Sequence, residues 1–391
     1  MSQKSSDAAF GMVLSRYLQR NPTLNRDRMA HGIQQDPAVV TDMCKGRRLS
    51  GPRARERVLS IIRWLHEHRV LGSIDEADAL LQAAHMAELS VSDTAEANLF
   101  QVFDDPDLHR GPEQFDPFII SHPITHPSRF FGRHYELNRL FNLWDSSLQN
   151  ALILGPRHSG KTSLLYYIQR LARTPMSQLR PTQRQDWLTR SRNYNWIFVD
   201  FLNSNMGRRE RLFRYLIRRM GLPAPKRYDL DHFLATVCDY LRHPTIILFD
   251  EVGVVRQRYS ELDKSFWDGL RSLSTTPARN YLAFVLAAID SSQTMTLNSI
   301  NDWNYFNVTG YVMTLGPLAK DEAYELIASS PLPFSSADTD WIMTNSRRWP
   351  LLLQLLCHER LSALRHGETD TAWREHGLRQ INLYHHLLLK R

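Results

Sequence analysis

The sequence has little cysteine and no long apolar run. Its 391 residues include three cysteines, which lie far apart and form no C-x-x-C pair. This scarcity argues against a disulfide framework and against a structural zinc site. The longest apolar stretches, such as residues 281–289, are too short to cross a bilayer, and the first twenty residues lack the apolar segment of a secretory signal. We therefore expect a cytoplasmic protein that does not contact a membrane.

Charge is unevenly distributed along the chain, whose net charge is +7. Residues 1–69 hold thirteen Lys and Arg against six Asp and Glu, whereas residues 70–126 hold one arginine against eleven acids. A second basic block, residues 170–227, has fourteen Lys and Arg against three acids. Two basic blocks favour a polyanionic partner, although arginines that only solvate helix surfaces explain the second block equally well.

The N-terminal region has the periodicity of five short amphipathic helices. Apolar residues recur at helical spacing in residues 10–20, 24–33, 53–68 and 73–86. Between them, Asp36 is expected to cap a further helix, Pro37 suits its first turn and Gly46 can end it. The short connection between the second and third helices is typical of a helix-turn-helix.

This region resembles the phage-repressor (Cro-like) helix-turn-helix family over about residues 8–70, through the helix spacing and the KGRR sequence that follows the third helix. In that family the third helix enters the major groove of DNA. The resemblance implies base contacts from Thr41, Asp42 and Lys45, and phosphate contacts from Arg47 and Arg48. A protein-docking adaptor is the alternative interpretation of the same helical domain.

Residues 155–163, GPRHSGKTS, match the pattern G-x-x-x-x-G-K-[ST] without a mismatch. A short apolar run, ALILG, ends at this motif, and a segment with helical spacing follows it, which is the order that a phosphate-binding loop requires. Backbone amides and the helix N-terminus would face the phosphates of ATP, and the Thr162 hydroxyl can bind Mg²⁺. The predicted nucleotide-binding residues of the motif are Gly155, Pro156, Arg157, His158, Ser159, Gly160, Lys161, Thr162 and Ser163.

A second apolar run, residues 245–249, ends in Asp250 and Glu251. A carboxylate at the end of such a strand can hold Mg²⁺, and the next one can polarise the attacking water; a helix cap is the alternative role for Glu251. Residues 195–201, 281–289 and 311–318 are further strand-like runs with helical segments between them. Together they predict a five-stranded, mostly parallel sheet wrapped by helices.

Residues 129 to about 360 resemble the AAA+ and STAND class of P-loop ATPases, closest to the archaeal-type ATPase branch. The resemblance rests on RFFGRHYELNRL, GPRHSGKTSLLYYI, TIILFDE and RRWPLLLQLLCHERL. It implies that Phe131, Gly132 and Arg133 lie against the adenine and that Pro350, in a helical lid, closes over the nucleotide. It also implies that Asp290 and Ser291, after the fourth strand, occupy the position that senses the γ-phosphate.

Two departures from that class concern the lid and the arginine finger. The class has small glycines before the lid proline, whereas this chain has Arg347, Arg348 and Trp349, so the local turn is expected to differ. No arginine follows the fourth strand within AAIDSSQT, which leaves Arg271 and Arg279 as candidate arginine fingers. The sequence therefore indicates ATP binding more directly than ATP hydrolysis.

The predicted fold is multi-domain, with an α-helical helix-turn-helix module, an α/β P-loop NTPase and a small α-helical lid. The predicted boundaries are 1–89 for the helical domain, 90–128 for an acidic, proline-rich linker, 129–317 for the ATPase core and 318–391 for the lid. The linker aromatics Phe100, Phe103, Phe115 and Phe118 are expected to dock on the next domain.

The sequence favours an Mg²⁺-dependent ATPase that acts as a molecular switch, in regulation or in a defence-type response. Lys161, Glu251 and Ser291 are its predicted catalytic residues, and Thr162 and Asp250 its predicted Mg²⁺ ligands. The expected partners are DNA through the N-terminal module, a second copy of the chain on ATP binding and a protein effector. The alternatives are a DNA-dependent AAA+ ATPase of the initiator, loader or transposition-regulator type, and a nucleotide-bound adaptor that does not hydrolyse ATP.

Overall fold

The chain folds into two compact units, Met1–Pro112 and Glu113–Arg391. The computed structural model describes residues 9–20, 24–45, 47, 49, 51, 53–68, 70–71, 74–87, 89, 96, 99, 116–172, 174, 176, 179–180, 183–184, 186–289, 310–368 and 370–388. The two units have separate hydrophobic cores.

The described part of the first unit contains five α-helices at the positions that the periodicity predicts. They are α1 (Ala9–Leu18), α2 (Arg26–Gly32), α3 (Pro37–Cys44), α4 (Ala54–Glu67) and α5 (Ile74–Ala83). Asp36 caps α3 as expected, because its carboxylate accepts a hydrogen bond from the Ala38 amide at 2.7 Å and Pro37 occupies the first helical position. All five helices contribute to one core, which includes Phe10, Met29 and Ile61.

The second unit is built on a five-stranded parallel sheet, which confirms the predicted sheet. Its strands are β1 (Ala151–Gly155), β2 (Asn195–Asp200), β3 (Thr245–Asp250), β4 (Leu282–Ile289) and β5 (Tyr311–Thr314). The spatial order is β2-β3-β4-β1-β5, and every neighbouring pair is parallel. Because all the strands point the same way, their carboxyl ends meet at one edge of the sheet.

Helices cover both faces of this sheet. The helices up to the fourth strand are α6 (His134–Ser146), α7 (Lys161–Leu171), α8 (Asp186–Ser191), α9 (Arg209–Arg219), α10 (Leu230–Tyr240), α11 (Val255–Arg258) and α12 (Lys264–Ser272). Alternate residues of β3 show the division: Ile246 and Leu248 pack with α6, α7 and α8, whereas Ile247 and Phe249 pack with α9, α10 and α12. Burial on both faces explains why β3 reads as an uninterrupted apolar run.

The C-terminal helices form a third core of their own. They are α13 (Lys320–Ala328), α14 (Ser336–Ser346), α15 (Pro350–Arg365), α16 (Ala372–Asn382) and α17 (His385–Leu388). Phe118 and Phe131, which precede the sheet in sequence, are buried in this core. The docking expected of Phe118 is therefore present in the structure, whereas Phe100, Phe103 and Phe115 are not among the described residues.

The stretch 90–128 does not form one extended linker in the described residues. Glu96 and Leu99 are buried in the first unit, where Glu96 forms an ion pair with Arg55. Residues 116–128 instead lie along the second unit: the Ile119 amide donates to Gln354 Oε1 at 2.9 Å, and the Ile124 amide donates to Ser163 Oγ at 3.0 Å. This segment therefore joins α15 to α7. None of the described helices is long and apolar enough to cross a bilayer.

Asp338 on α14 offers a test of the C-terminal helical core. Its carboxylate is buried and lies 2.9 Å from both Arg360 Nε and Arg374 Nη2. In Asp338→Ala, the buried Arg360 would lose its counter-charge, so we expect the free energy of unfolding of this unit to fall by about 3 kcal/mol. Calorimetry of the full chain measures the change as a lower Tm for one transition. The exposed Asp340→Ala on the same helix is the control, and equal Tm values for the two variants would contradict the expectation.

Candidate functional site

The loop between β1 and α7 is tightly curved. An added Cβ at Gly155 would lie 2.6 Å from Ser159 Oγ and 3.2 Å from the Leu315 carbonyl oxygen, which excludes a side chain there. Gly160 has a φ of 91° and His158 a φ of 63°, both in the left-handed region. The two motif glycines are thus needed for different reasons, one for space and one for backbone conformation.

Lys161 begins α7, whose N-terminal amides point their partial positive charge into the loop. Its side chain is buried, and Nζ donates to the carbonyl oxygens of Gly155 at 3.1 Å and Pro156 at 2.9 Å. The ammonium group therefore lies inside the curve of the loop. A helix N-terminus and a buried ammonium at one place form a site suited to phosphate.

Thr162 and Asp250, the two predicted Mg²⁺ ligands, are in direct contact. Thr162 Oγ1 donates a 2.7 Å hydrogen bond to Asp250 Oδ2. Asp250 is 2% exposed, and among the described residues its Oδ1 has no hydrogen-bond partner. Mg²⁺ is held in proteins by one or two oxygen ligands together with substrate phosphates. A hydroxyl and a carboxylate with an unused buried oxygen fit that requirement.

Burial raises the pKa of Asp250 to about 6. The Thr162 hydrogen bond opposes this shift, whereas the neighbouring carboxylates of Glu251 and Asp200 add to it. A nearby cation stabilises the ionised form of a buried carboxylate more than that of an exposed one. The electrostatics of the site therefore favour a bound metal ion.

Asp200 is a site residue that the sequence analysis missed. It ends β2 and lies in register with Asp250, the last residue of β3. Burial raises the pKa of Asp200, and the Leu202 amide donates to its Oδ1 at 2.8 Å. The available signal was the sequence WIFVD, an apolar strand that ends in an acid as β3 does.

Glu251 has a left-handed backbone, with φ 54° and ψ 39°. It precedes the short 3₁₀ turn Val252–Val254, but its side chain makes no capping hydrogen bond to that turn. The alternative role as a helix cap therefore has no support in the structure. A non-glycine residue in this conformation at a carboxylate-lined edge is a candidate functional residue.

The three residues predicted to lie against the adenine make different contacts in the structure. Arg133 is 3% exposed, and its guanidinium bonds to Glu136, to the Ser159 carbonyl and to the Gly316 carbonyl. Phe131 packs in the C-terminal helical core beneath the guanidinium carbon of Arg180, 3.8 Å from the ring centroid. Gly132 has a φ of 74°. Arg133 is thus buried, and its guanidinium bonds to three acceptors within the protein.

The turn before Pro350 has an unusual backbone for the residues that form it. Arg347 and Arg348 have φ values of 47° and 63°, so both adopt the left-handed backbone that glycine favours. These two arginines thus share a backbone conformation that glycine adopts more readily, and the expected difference from the turn of the class stays a prediction. Hydrogen bonds explain how it is held: Arg348 Nη1 donates to the Leu318 carbonyl at 3.0 Å, and the Leu318 amide donates to the Arg348 carbonyl at 2.9 Å.

Several other predicted residues lie away from the loop or outside the described residues. Asp290, Ser291 and Arg48 are not among the described residues. Arg271 and Arg279 are exposed and lie in the connection that leads to the amino end of β4. The phosphate-binding loop follows the carboxyl end of β1, which pairs with the carboxyl end of β4. Neither arginine is therefore placed to reach the loop of its own chain.

The remaining predicted residues are placed as follows. Arg157 and His158 are exposed, and the His158 ring lies 5.1 Å from the Tyr384 ring. Pro350 is partly buried at the start of α15. In the first unit, Lys45 and Arg47 are exposed, whereas Thr41 and Asp42 are partly buried.

No protein-family model matches the sequence, and no curated protein matches it significantly. Solved structures show remote similarity. A Walker-type ATPase of Pyrococcus abyssi is 17% identical, with 70% of this chain and 77% of that chain covered and a TM-score of 0.48. The ORC2 protein of Aeropyrum pernix, as ADPNP-ADP complexes, is 15% identical, with 67% and 71% covered and a TM-score of 0.46.

A third similar structure is a STAND protein with a tetratricopeptide repeat sensor from Pyrococcus horikoshii. It is 15% identical, with 64% of this chain but 34% of that chain covered, and the TM-score is 0.34. Two of these three structures are described as ATPases. By its own geometry, the parallel sheet with flanking helices and the glycine loop between β1 and α7 fit an α/β P-loop NTPase fold.

The raised pKa of Asp250 gives a pH-dependent prediction. The folded protein binds this proton more tightly than the unfolded chain, so ionisation of Asp250 lowers stability as pH rises through 6. At pH 8, without nucleotide or Mg²⁺, we expect Asp250→Asn to be more stable than the wild type by on the order of 2 kcal/mol.

The difference should shrink as pH falls from 6 toward 4, because the wild-type carboxyl group is then protonated in the folded protein. Thermal unfolding between pH 4 and 8 measures it, and Asp268→Asn, a change at an exposed carboxylate, is the control. A pH-independent difference between Asp250→Asn and the wild type would contradict the argument.

Proposed function

We propose that this protein binds ATP with Mg²⁺ and hydrolyses it at the carboxyl edge of the sheet. The observation that carries the proposal is the 2.7 Å contact between Thr162 and Asp250. It brings together the glycine loop that can hold phosphate and the strand end that can hold a metal ion. Chance similarity to either motif would not by itself place these two side chains in contact.

Each residue of the site has a defined part in the proposed reaction. The loop amides and Lys161 would bind and orient the phosphates, and Thr162 and Asp250 would hold Mg²⁺. The metal ion, when bound, neutralises phosphate charge. Glu251 would orient a water molecule and accept its proton as the water oxygen attacks the γ-phosphorus and the bond to the bridging oxygen breaks.

We further propose that nucleotide state controls DNA binding or assembly, so that the protein acts as a switch. The exposed cations Lys45 and Arg47 at the end of α3 support DNA contact by the first unit. The C-terminal helices would be the element that moves with nucleotide state. The supporting observation is that the exposed side chain of His158 in the loop contacts Tyr384, which follows α16. Arg271 and Arg279 would act on the site of a second copy of the chain.

Lys161→Ala and Glu251→Gln test the ATP site. We expect the affinity of Lys161→Ala for ATP to fall at least about tenfold, because a charge-assisted contact to phosphate is lost. We expect Glu251→Gln to bind ATP as the wild type does. We expect it to release phosphate at least about 100-fold more slowly, because the general base is lost. Equilibrium binding and phosphate-release assays measure the two effects.

The control is Glu261→Gln, a change at an exposed acid that accepts a hydrogen bond from the Arg209 amide. Wild-type ATP affinity in Lys161→Ala would disprove the site. Wild-type turnover in Glu251→Gln, with turnover near background in both, would instead favour the nucleotide-bound adaptor.

Lys45→Ala with Arg47→Ala tests the DNA contact. If these cations bind phosphates, the double variant should bind duplex DNA more weakly across all sequences, and the salt dependence should decrease by about one unit per lost contact. The exposed Arg28→Ala on α2 is the matched control. The measurement is DNA affinity as a function of salt concentration. An unchanged slope of log affinity against log salt concentration would contradict a phosphate contact.

Stimulation of ATP hydrolysis by any duplex would favour the loader-type alternative over an operator-specific switch.

A further inference from the structure

The Arg133 side chain connects the phosphate-binding loop to the start of the C-terminal helical domain. Its Nη2 donates to the Ser159 carbonyl at 2.9 Å and to the Gly316 carbonyl at 2.6 Å. Its Nη1 donates to Glu136 Oε1 at 3.0 Å, which supplies a counter-charge. The guanidinium is buried, so these three acceptors replace the water that it would otherwise bind.

The bond to Ser159 bears on the orientation of the next amide. In a trans peptide the carbonyl and the N–H point in opposite directions. Because the Ser159 carbonyl points toward Arg133, the Gly160 N–H of the same peptide points away from Arg133. That N–H immediately precedes Lys161, at the N-terminus of α7. Arg133 therefore fixes one of the amides that would face a phosphate.

The bond to Gly316 lies on the connection between the sheet and α13. The Leu315 amide donates to the Leu154 carbonyl at 2.8 Å, so the chain is still part of the sheet one residue earlier. On the other side, Glu322 of α13 accepts from the His134 amide at 2.9 Å, next to Arg133. An added Cβ at Gly132 would lie 2.8 Å from Glu322 Oε2. The turn that carries Arg133 is thus enclosed by α13.

We propose that Arg133 is a positioning residue that couples the conformation of the phosphate-binding loop to the C-terminal helical domain, and that it does not contact the adenine. The proposal rests on the proposed ATP site. The same nitrogen bonds to both carbonyls, so a shift of the Ser159 peptide when phosphate binds changes the bond that holds Gly316. Both ends of this coupling are backbone carbonyls, and the Arg133 guanidinium is the group that joins them.

Arg133→Gln and Arg133→Lys test this proposal. Lysine keeps the charge but lacks the planar fork that reaches three acceptors, so both variants should lose the coupling. The matched control is Arg139→Gln on α6, whose arginine bonds to Tyr135 within its own helix. The ligands are ATP, GTP and inorganic triphosphate, which has phosphates but no base.

We expect the affinities of both variants for ATP and for inorganic triphosphate to fall about tenfold or more, with an unchanged ratio of ATP to GTP affinity. We also expect ATP to slow hydrogen exchange in residues 155–163 and 316–328 of the wild type, and to lose its effect on residues 316–328 in Arg133→Lys. An ATP-to-GTP ratio that collapses while triphosphate affinity is retained would show an adenine contact and overturn the proposal.

Three further outcomes have fixed meanings. If Arg133→Gln fails to fold, Arg133→Lys and the wild-type exchange experiment still decide, and an ATP effect confined to residues 155–163 of the wild type overturns the coupling. If Lys161→Ala lowers ATP affinity but both Arg133 variants match Arg139→Gln, this inference fails while the proposed function stands. If wild-type protein binds no ATP, the proposed function itself fails.

Discussion

The hydrogen bond from Thr162 to Asp250 is the contact on which the geometry of the site depends. It joins residues 88 positions apart in sequence. Thr162 follows β1 and Asp250 ends β3, and these strands are not neighbours because β4 lies between them. Two strand spacings amount to roughly 10 Å. The first turn of α7 must therefore lie across the end of β4 for the hydroxyl to reach the carboxylate. That position is possible because the sheet is parallel and helices on both faces fix its register.

The site combines groups that are costly to bury separately. Asp250 is ionised only above its raised pKa of about 6, and Asp200 in the neighbouring strand increases the local negative potential. Lys161 is also buried, and its ammonium group donates hydrogen bonds to the loop carbonyls of Gly155 and Pro156. A phosphate would match the ammonium and a divalent cation would match the carboxylates. Without a ligand, each buried charge lowers the stability of the folded chain. Each one also attracts a ligand of opposite charge.

Buried strands were predictable from sequence, whereas the contacts that organise the site were not. The runs at 151–155 and 245–249 correspond to β1 and β3 within one residue, because burial on both faces leaves an uninterrupted apolar pattern. Residues 315–318, included in the fifth predicted strand, instead form the connection to α13. The interior position of Arg133 was not predictable, since its acceptors are backbone carbonyls that have no sequence signature. The left-handed backbone at Arg347 and Arg348 contradicts the usual preference for glycine, so sequence alone argued against it.

The distribution of arginine and lysine restricts how the γ-phosphate could be neutralised. Residues 280–319, which include β4 and β5, contain no lysine or arginine. These strands lie on either side of β1, so their segments cannot supply a cation to the loop between them. Within the described residues, Lys161 is the buried cation inside the loop, and Arg133 is occupied by Glu136 and two carbonyls. Arg271 and Arg279 lie toward the opposite edge of the sheet. A second positive charge at the γ-phosphate would therefore have to come from outside these segments. A site that binds triphosphate with one ammonium but completes its charge balance only on assembly would couple turnover to the association of chains.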